Sequence, residues 1–406
     1  MSVGAEAPRR RYARAPLLTA RNLGIVGIGL GALAFWLALP PVTVRTIAAP
    51  LAIGSVAALL GVGALTRGER PVGWGAVASG LLGIVAGVFA TQASAQHLDD
   101  VIKWSTLISS ALVFATPLTF AAIGGMFSER SGVVNIGLEG MMLMGAFFGA
   151  WGADVTGSWV AGLLIGMAAG GLLALVHAVF SINLRSDQIV TGTALIFLAY
   201  GITGYLYNAI YGNEGTPGDL PRIPTVNLTS ESNDSFFSQA FGRMNLMTWL
   251  AFALVIVSYV VMFKTSIGLR IRSCGEHPRA ADTVGINVYR VRYASVTVSG
   301  ILAAMGGAYL SIGYVHSFTE KMTAGRGFIA LAALIFGNWR PFGAFAAALL
   351  FGFSTALAPE LENVEAWAVY GTLFQALPYL LTLIAVAGVI GRTVPPAAIG
   401  RPYVKQ

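Results

Sequence analysis

Glu139 stands inside FSERSGVVNIGLEGMMLMGAFFG (127–149), an apolar stretch of membrane-spanning length interrupted by glycines 132, 137, 140, 145 and 149. A carboxylate at membrane depth is costly and needs a partner, water or a task. Asn135 precedes it by four residues, which on a continuous helix puts both side chains on one face. Two readings stay open for that face: the wall of a polar pathway, or a polar device that glues helix to helix. The glycines let the helix bend or let one backbone approach another. Glu129 and Arg130, at the head of the stretch, read as a solvated charge pair at the membrane edge.

Three other segments carry polar chemistry. INLRSDQIVTGTALIFLAYGITGYLYNAIYG (182–212) opens on a polar run in which Asp187 is placed to cap a helix starting near Gln188. Thr191, Thr193, Tyr200 and Asn208 follow along it, and hydroxyls, an amide and aromatic rings suit a sugar or a base. Tyr205, Tyr207 and Tyr211, towards the far end, read as interfacial anchors. GRGFIALAALIFGNW (325–339) is short for a span and reads as a broken or re-entrant helix, with Gly325 and Gly327 supplying a bend beside Phe328. In the basic stretch GLRIRSCGEHPRAADTVGINVYRVRY (268–293), Pro278 can start a short helix over 279–283 that Gly285 ends. Such a helix is either a docking element held by a rigid scaffold or part of a basic loop resting on anionic headgroups.

Composition says which elements must hold these residues. Hydrophobic residues make up 56% and charged residues 11% of the chain, with 50 glycines. Soluble domains carry about 25% charged residues, so the chain reads as an all-α, polytopic membrane helix bundle. Apolar runs place about twelve spans, near 22–40, 47–66, 72–92, 105–127, 131–152, 158–181, 188–211, 245–263, 290–315, 325–339, 341–358 and 368–391. Putting the N-terminus in the cytoplasm leaves nineteen Lys and Arg residues inside and six outside. The positive-inside rule therefore sets both termini in the cytoplasm. The net charge of +7 is accounted for by topology and calls for no nucleic acid.

The organisation follows from those spans. Residues 1–21 form a basic cytoplasmic N-terminus, and 22–104 hold three extra N-terminal spans. A core runs over 105–391, with a polar outer loop at 212–244 and a basic inner loop at 264–289; a cytoplasmic tail covers 392–406. The Gly-rich stretches near 131–150 and 325–339 would run in opposite directions as parts of an inverted repeat. Paired broken segments of this kind point to a transport site at the membrane midplane; ordinary glycine-mediated packing gives the same pattern.

Several classes of activity lack their residues. There is no phosphate loop of the GxxxxGK[ST] type, no HExxH and no pair of intramembrane aspartates. The single cysteine, Cys274, cannot form an intrachain disulfide, and the four histidines show no ligand spacing. No metal or catalytic site is expected.

ERSGVVNIGLEGMMLMGAF (129–147) resembles the signature of permease subunits of ATP-binding-cassette importers, in the branch for simple sugars and nucleosides, which is related to the branched-chain amino-acid permeases. GEHPRAADTVGINVYRVRYASVTVSGILAAMGGAYL (275–310) is similar to that family's coupling loop and the helix after it, and GRGFIALAALIFGNWRPFG (325–343) to its later Gly-rich segment. The resemblance covers about 105–391. It implies a non-enzymatic transport subunit in a bacterial inner membrane. Its implied partners are a second permease, alike or identical, two ATPase subunits that bind the ATP and Mg, an extracytoplasmic substrate-binding lipoprotein and membrane lipids. No cofactor is implied on this chain. The substrate pathway would include Asn135, Glu139, Thr191, Thr193, Tyr200, Gly325, Gly327 and Phe328. The element that couples to the ATPase would comprise Glu276, His277, Pro278, Arg279, Ala280, Ala281 and Gly285. Two positions depart from the family's pattern: Arg279 stands where Glu is frequent, and Thr193 to Ile196 lack the Asn that often follows Gly192. The alternatives are a branched-chain amino-acid permease subunit and an ion-coupled secondary transporter centred on Glu139.

Overall fold

A computed structural model describes residues 19–38, 47–92, 103–212, 214–228, 235–362, 375, 376, 378 and 394–405. The chain divides into two compact units. The first holds α1 (Ala20–Ala38), α2 (Ala48–Thr66) and α3 (Arg70–Gln92). Its helices pack through small residues. A Cβ at Gly54 would press on the carbonyl of Gly80, and one at Gly61 on that of Gly73. In lipid, such close approach of backbones replaces the hydrophobic drive that brings helices together in water.

The second unit contains α4 (Trp104–Arg130), α5 (Leu138–Thr156), α6 (Trp159–Ala178), α7 (Gln188–Tyr211), α8 (Phe236–Phe241), α9 (Leu246–Lys264), α10 (Ser266–Glu276), α11 (Pro278–Thr283), α12 (Val288–Ala308), α13 (Arg326–Phe336) and α14 (Pro341–Glu362). π-helical turns at Val179–Asn183 and Tyr309–Val315 extend α6 and α12. Short polar caps start several of the helices. The Asp187 carboxylate accepts the amides of Ile189 and Val190 at 2.9 and 3.0 Å, as the sequence predicts for α7. Asn245 and Asn287 cap α9 and α12 in the same way.

α12 packs against α4, α5 and α6 at the middle of this unit. Glycine makes that possible: a Cβ at Gly307 would collide with the carbonyl of Met142, and one at Gly145 with Ala304. Pro117 interrupts the ladder of α4, since it has no N–H to offer the carbonyl of Val113. The hydroxyl of Tyr309 turns to that carbonyl at 3.4 Å. The loop between α7 and α9 contains an antiparallel pair, β1 (Thr225–Asn227) and β2 (Arg243–Asn245), in the register Thr225↔Asn245, together with α8.

Among the described residues, eight helices are long and apolar enough to cross a membrane, against the twelve spans expected. The expected span 131–152 is instead an irregular stretch, 131–137, followed by α5. The expected span 325–339 contains only the 11-residue α13, roughly 16 Å long at 1.5 Å per residue. α1 appears as a shorter apolar helix, and 368–391 lies largely outside the described residues.

Candidate transport site and coupling surface

The stretch 131–137 has no regular hydrogen bonding of its own, yet it is buried. Non-helical backbone at membrane depth survives only where protein satisfies its polar groups. Side chains from four directions do so here. Gln188 accepts the amide of Val134 at 2.7 Å, and His177 Nε2 lies 2.9 Å from the carbonyl of the same residue. The Ser128 hydroxyl donates to Val133 O at 2.7 Å, and Arg292 Nε to Ser131 O at 3.1 Å. The carboxylate of Glu129 accepts the amide of Asn135. Gly132 adopts φ +96°, and a Cβ there would press on the Arg292 guanidinium.

The break changes the geometry of the Asn135–Glu139 pair. Four-residue spacing on one helical face was the expectation, but Asn135 lies in the irregular stretch and Glu139 in the first turn of α5. Both are fully buried and they serve different neighbours. Asn135 Nδ2 donates to Ser299 Oγ of α12 at 2.9 Å, and its Oδ1 has no partner among the described residues.

Glu139 is bonded on both oxygens. Oε1 accepts the Thr323 hydroxyl at 2.6 Å and the Gly325 amide at 2.8 Å; Oε2 accepts the Gly327 amide at 2.6 Å. These amides belong to the start of α13, which Gly325 enters with φ +81°. The first amides of a helix lack intrahelical acceptors, and both helix starts carry partial positive charge. One buried carboxylate therefore binds the N-terminal ends of α5 and α13 together. Gly327 can be nothing larger, because a Cβ there would overlap the backbone of Glu139.

The remaining expected pathway residues are spread around this joint. Thr191 is buried and returns its hydroxyl to Asp187 O at 2.8 Å. Thr193 is exposed and returns its hydroxyl to Ile189 O. The ring of Tyr200 is half-buried, with Lys321 Nζ 5.9 Å from its centroid. Phe328 is exposed. The structure thus joins Glu139, Gly325 and Gly327 by hydrogen bonds, in which the side chains of Asn135, Thr191, Thr193, Tyr200 and Phe328 take no part.

Glu129 and Arg130 are not the solvated pair expected. Glu129 is buried and accepts the indole N–H of Trp339. Arg130 donates to the carbonyls of Trp339 and Asn338 at 3.0 and 3.3 Å. Asn338 and Trp339 both hold positive φ, 54° and 52°. The end of α4 thereby grips the turn that follows α13.

α10 and α11 meet at His277. Pro278 occupies the first turn of α11. Gly285 ends it with φ +86°, as expected, while its amide bonds Asp282 O and that of Ile286 bonds Ala281 O. This is the paired closure that favours glycine just after a helix. Glu276, His277, Arg279, Ala280, Val284 and Gly285 are exposed. Ala281 is not part of that surface: it packs inward on Cys274, Val288 and Tyr403. Gly275 of α10 lies directly against the Arg130 carbonyl, where a Cβ would not fit.

The tail at 394–405 completes this end. The amide of Ala398 bonds Gly275 O at 2.8 Å, that of Gly400 bonds Gly132 O at 3.1 Å, and that of Ala397 bonds Glu276 Oε2 at 3.1 Å. Tyr403 sits edge-on to Tyr289 with centroids 5.5 Å apart. Burial and a hydrogen bond to Asp282 push its phenol up to about 12. Between tail and α11 lies a cavity of about 490 Å³, with Arg279, Ala280 and Arg401 in its wall.

Residues 107–386 match the model of the branched-chain amino acid transport system / permease component family. The chain belongs to this permease family. The permease is 42% identical over 321 residues to the guanosine ABC transporter permease protein NupQ of Bacillus subtilis (strain 168), covering 76% of the chain and 99% of the relative. It is 39% identical to the nucleoside ABC transporter permease protein NupC of Lactococcus lactis subsp. cremoris (strain MG1363), covering 74% and 97%. It is 36% identical to the putative glucose ABC transporter permease protein TsgC13 of Haloferax volcanii, covering 64% and 78%. No solved structure matches it. The permease is a multi-pass membrane protein, in keeping with its apolar helices.

Sequence reasoning missed the residues that support the break. Gln188, His177, Arg292, Thr323 and Trp339 were not singled out. A signal existed for one of them, since His177 is a polar group within an apolar run that needs a reason to be there.

Proposed function

We propose that the permease forms the membrane pathway of an ATP-binding-cassette importer for nucleosides, in a bacterial inner membrane with both termini in the cytoplasm. The carrying observation is the identity of 42% and 39% with the guanosine and nucleoside permease proteins over nearly their whole lengths. On this reading a second permease, alike or identical, completes the pathway. Separate ATPase subunits bind ATP and Mg and hydrolyse the nucleotide, and an extracytoplasmic lipoprotein delivers substrate. The exposed face of α11, with Arg279, Ala280 and Gly285, receives the ATPase, while Glu276, His277 and Pro278 hold it at its angle and Ala281 anchors it.

The local geometry supports a mechanical cycle. Motion of α11 reaches Arg130 through Gly275, passes to the turn at Asn338 and Trp339, and so to α13 and its joint at Glu139. Gly325 and Gly327 let α13 start where it does. Asn135 steadies the opposing break, and Thr191, Thr193, Tyr200 and Phe328 offer hydroxyls and rings to a sugar and base. Switching requires that the ATPase bind one of two arrangements better than the other.

A second reading, uptake of branched-chain amino acids, is favoured by the description of the matched family. Co-purification of the tagged permease, followed by uptake of labelled guanosine into vesicles, separates the two. Recovery of an ATPase and a binding protein, with uptake blocked by unlabelled nucleosides and not by leucine, is the expected result. Competition by leucine alone favours the second reading, and recovery of the permease by itself with ATP-independent uptake rejects both.

A further inference from the structure

On the end of the bundle that carries α11, a second cavity of about 460 Å³ opens between α9, α10 and α12. Its walls are mostly apolar, with Ile267, Ala294 and Val298 exposed along it and Phe127 behind. Arg270 and Arg290 stand in the same lining. Among the described residues, neither guanidinium makes a hydrogen bond or ion pair to the protein, so both charges are available to a ligand. Ser295 also lines the cavity. It is 2% exposed, and its hydroxyl has no hydrogen-bond partner among the described residues.

The order of these residues along α12 is informative. Arg290, Ala294 and Val298 occupy successive turns of one helical face. The sequence on that face is charge first, then small, then apolar, over roughly 12 Å of helix. An anionic phospholipid has the same order, phosphate and then acyl chain. A bare anion would leave the apolar wall wet.

We propose that this cleft binds one anionic phospholipid, with its phosphate between Arg270 and Arg290 and an acyl chain along Ala294 and Val298. The site is separate from the joint at Glu139 and from the α11 surface, and stands whether or not the substrate is a nucleoside. Basic pockets between membrane helices at a charged leaflet recognise lipid headgroups by this chemistry.

The test uses the full chain purified with whatever partners accompany it and placed in nanodiscs of mixed phosphatidylglycerol and phosphatidylcholine. Lipid retained after detergent washing is then measured by native mass spectrometry. Wild type is expected to keep phosphatidylglycerol. The double variant Arg270→Gln/Arg290→Gln should lose about thirtyfold in retention, from about fivefold per arginine near an anionic headgroup. Val298→Trp, which leaves both arginines in place, should lose it too by filling the chain's slot. Equal retention in wild type and the double variant overturns the proposal. So does displacement by inorganic phosphate alone, which would mean recognition of charge without a chain. Efficient cross-linking of Val298→Cys to another protein segment in the membrane overturns it as well, since that would show protein covering the cleft.

Discussion

The Glu139 carboxylate accepts the Gly327 amide at 2.6 Å and so fastens the first turn of α5 to the first turn of α13. Two irregular stretches, 131–137 and the turns before Gly325, each lead into one of these helices. Neither α5 nor α13 meets the length and hydropathy of an independent span. Each helix start has amides to spare, and the carboxylate supplies acceptors to one while sitting in the first turn of the other. The charge that the sequence marks as expensive is spent on holding two broken segments in register.

Glu139→Gln tests that role. The amide keeps one acceptor oxygen and turns an NH2 towards a donor, leaving a buried group unpaired at a cost of about 1–3 kcal/mol. We expect a lower thermal midpoint in detergent and reduced uptake, but a smaller loss of uptake than follows removal of the α11 surface. Gly327→Ala should be the more damaging change, because its Cβ has no room against Glu139. A Glu139→Gln protein of unchanged stability that had lost all substrate binding would instead place the carboxylate on the substrate.

The α11 surface is best tested by separating its two faces. Arg279→Glu and Val284→Asp alter exposed positions. Both should insert normally, retain wild-type thermal stability and lose ATPase co-purification and uptake. Ala281→Glu buries a charge beside Cys274, Val288 and Tyr403 and should lower stability as well, since an unpaired buried charge is strongly unfavourable. Gly285→Val costs about 1–2 kcal/mol from the positive φ alone. Normal ATPase association in Arg279→Glu and Val284→Asp together would remove α11 from the interface.

Much of this was legible in the sequence, for physical reasons. The Asp187 cap, the Pro278 start and the Gly285 stop of α11 are local, so residue type and spacing suffice to place them. The shortness of α13 was visible in the apolar count between Gly325 and Asn338. The break at 131–137 was legible only as one of two readings, because glycine and apolar residues serve a bent chain and a continuous helix equally well. What decides between them is distant in sequence: Gln188, His177 and Arg292 supply the hydrogen bonds that let the backbone leave the helix. The inward turn of Glu129 and the docking of the tail depend likewise on Trp339 and Gly275, partners that no local pattern links to them.

Trp339→Phe keeps the ring and removes the N–H that reaches Glu129. The carboxylate then loses one of its partners in a buried site, and the variant should be less stable by about 1–3 kcal/mol. Glu129→Gln retains an acceptor and should cost less. If the two act as one contact, the double variant falls short of additivity by about 0.5–3 kcal/mol. Thermal inactivation of the four proteins measures the cycle, and additive losses would show that Trp339 stabilises the turn independently of Glu129.

Tyr403 gives the tail a titratable contact. Burial and the hydrogen bond to Asp282 raise its phenol to about 12, above the unfolded value of about 10. A raised pKa means the folded state holds the proton more tightly, so its contribution is complete below pH about 10 and is lost as pH rises through about 12. Docking of the tail should therefore be independent of pH across the neutral range. The phenolate absorbance of wild type minus that of Tyr403→Phe should show one group titrating near 12. The same substitution should loosen residues 394–405 at neutral pH, seen as faster cleavage by an added protease, because the Asp282 contact is gone. A difference curve centred near 10 with unchanged cleavage would mean that the ring is not held against α11, and that the tail is fastened by its other hydrogen bonds, at Val394, Ala397, Ala398, Gly400 and Arg401.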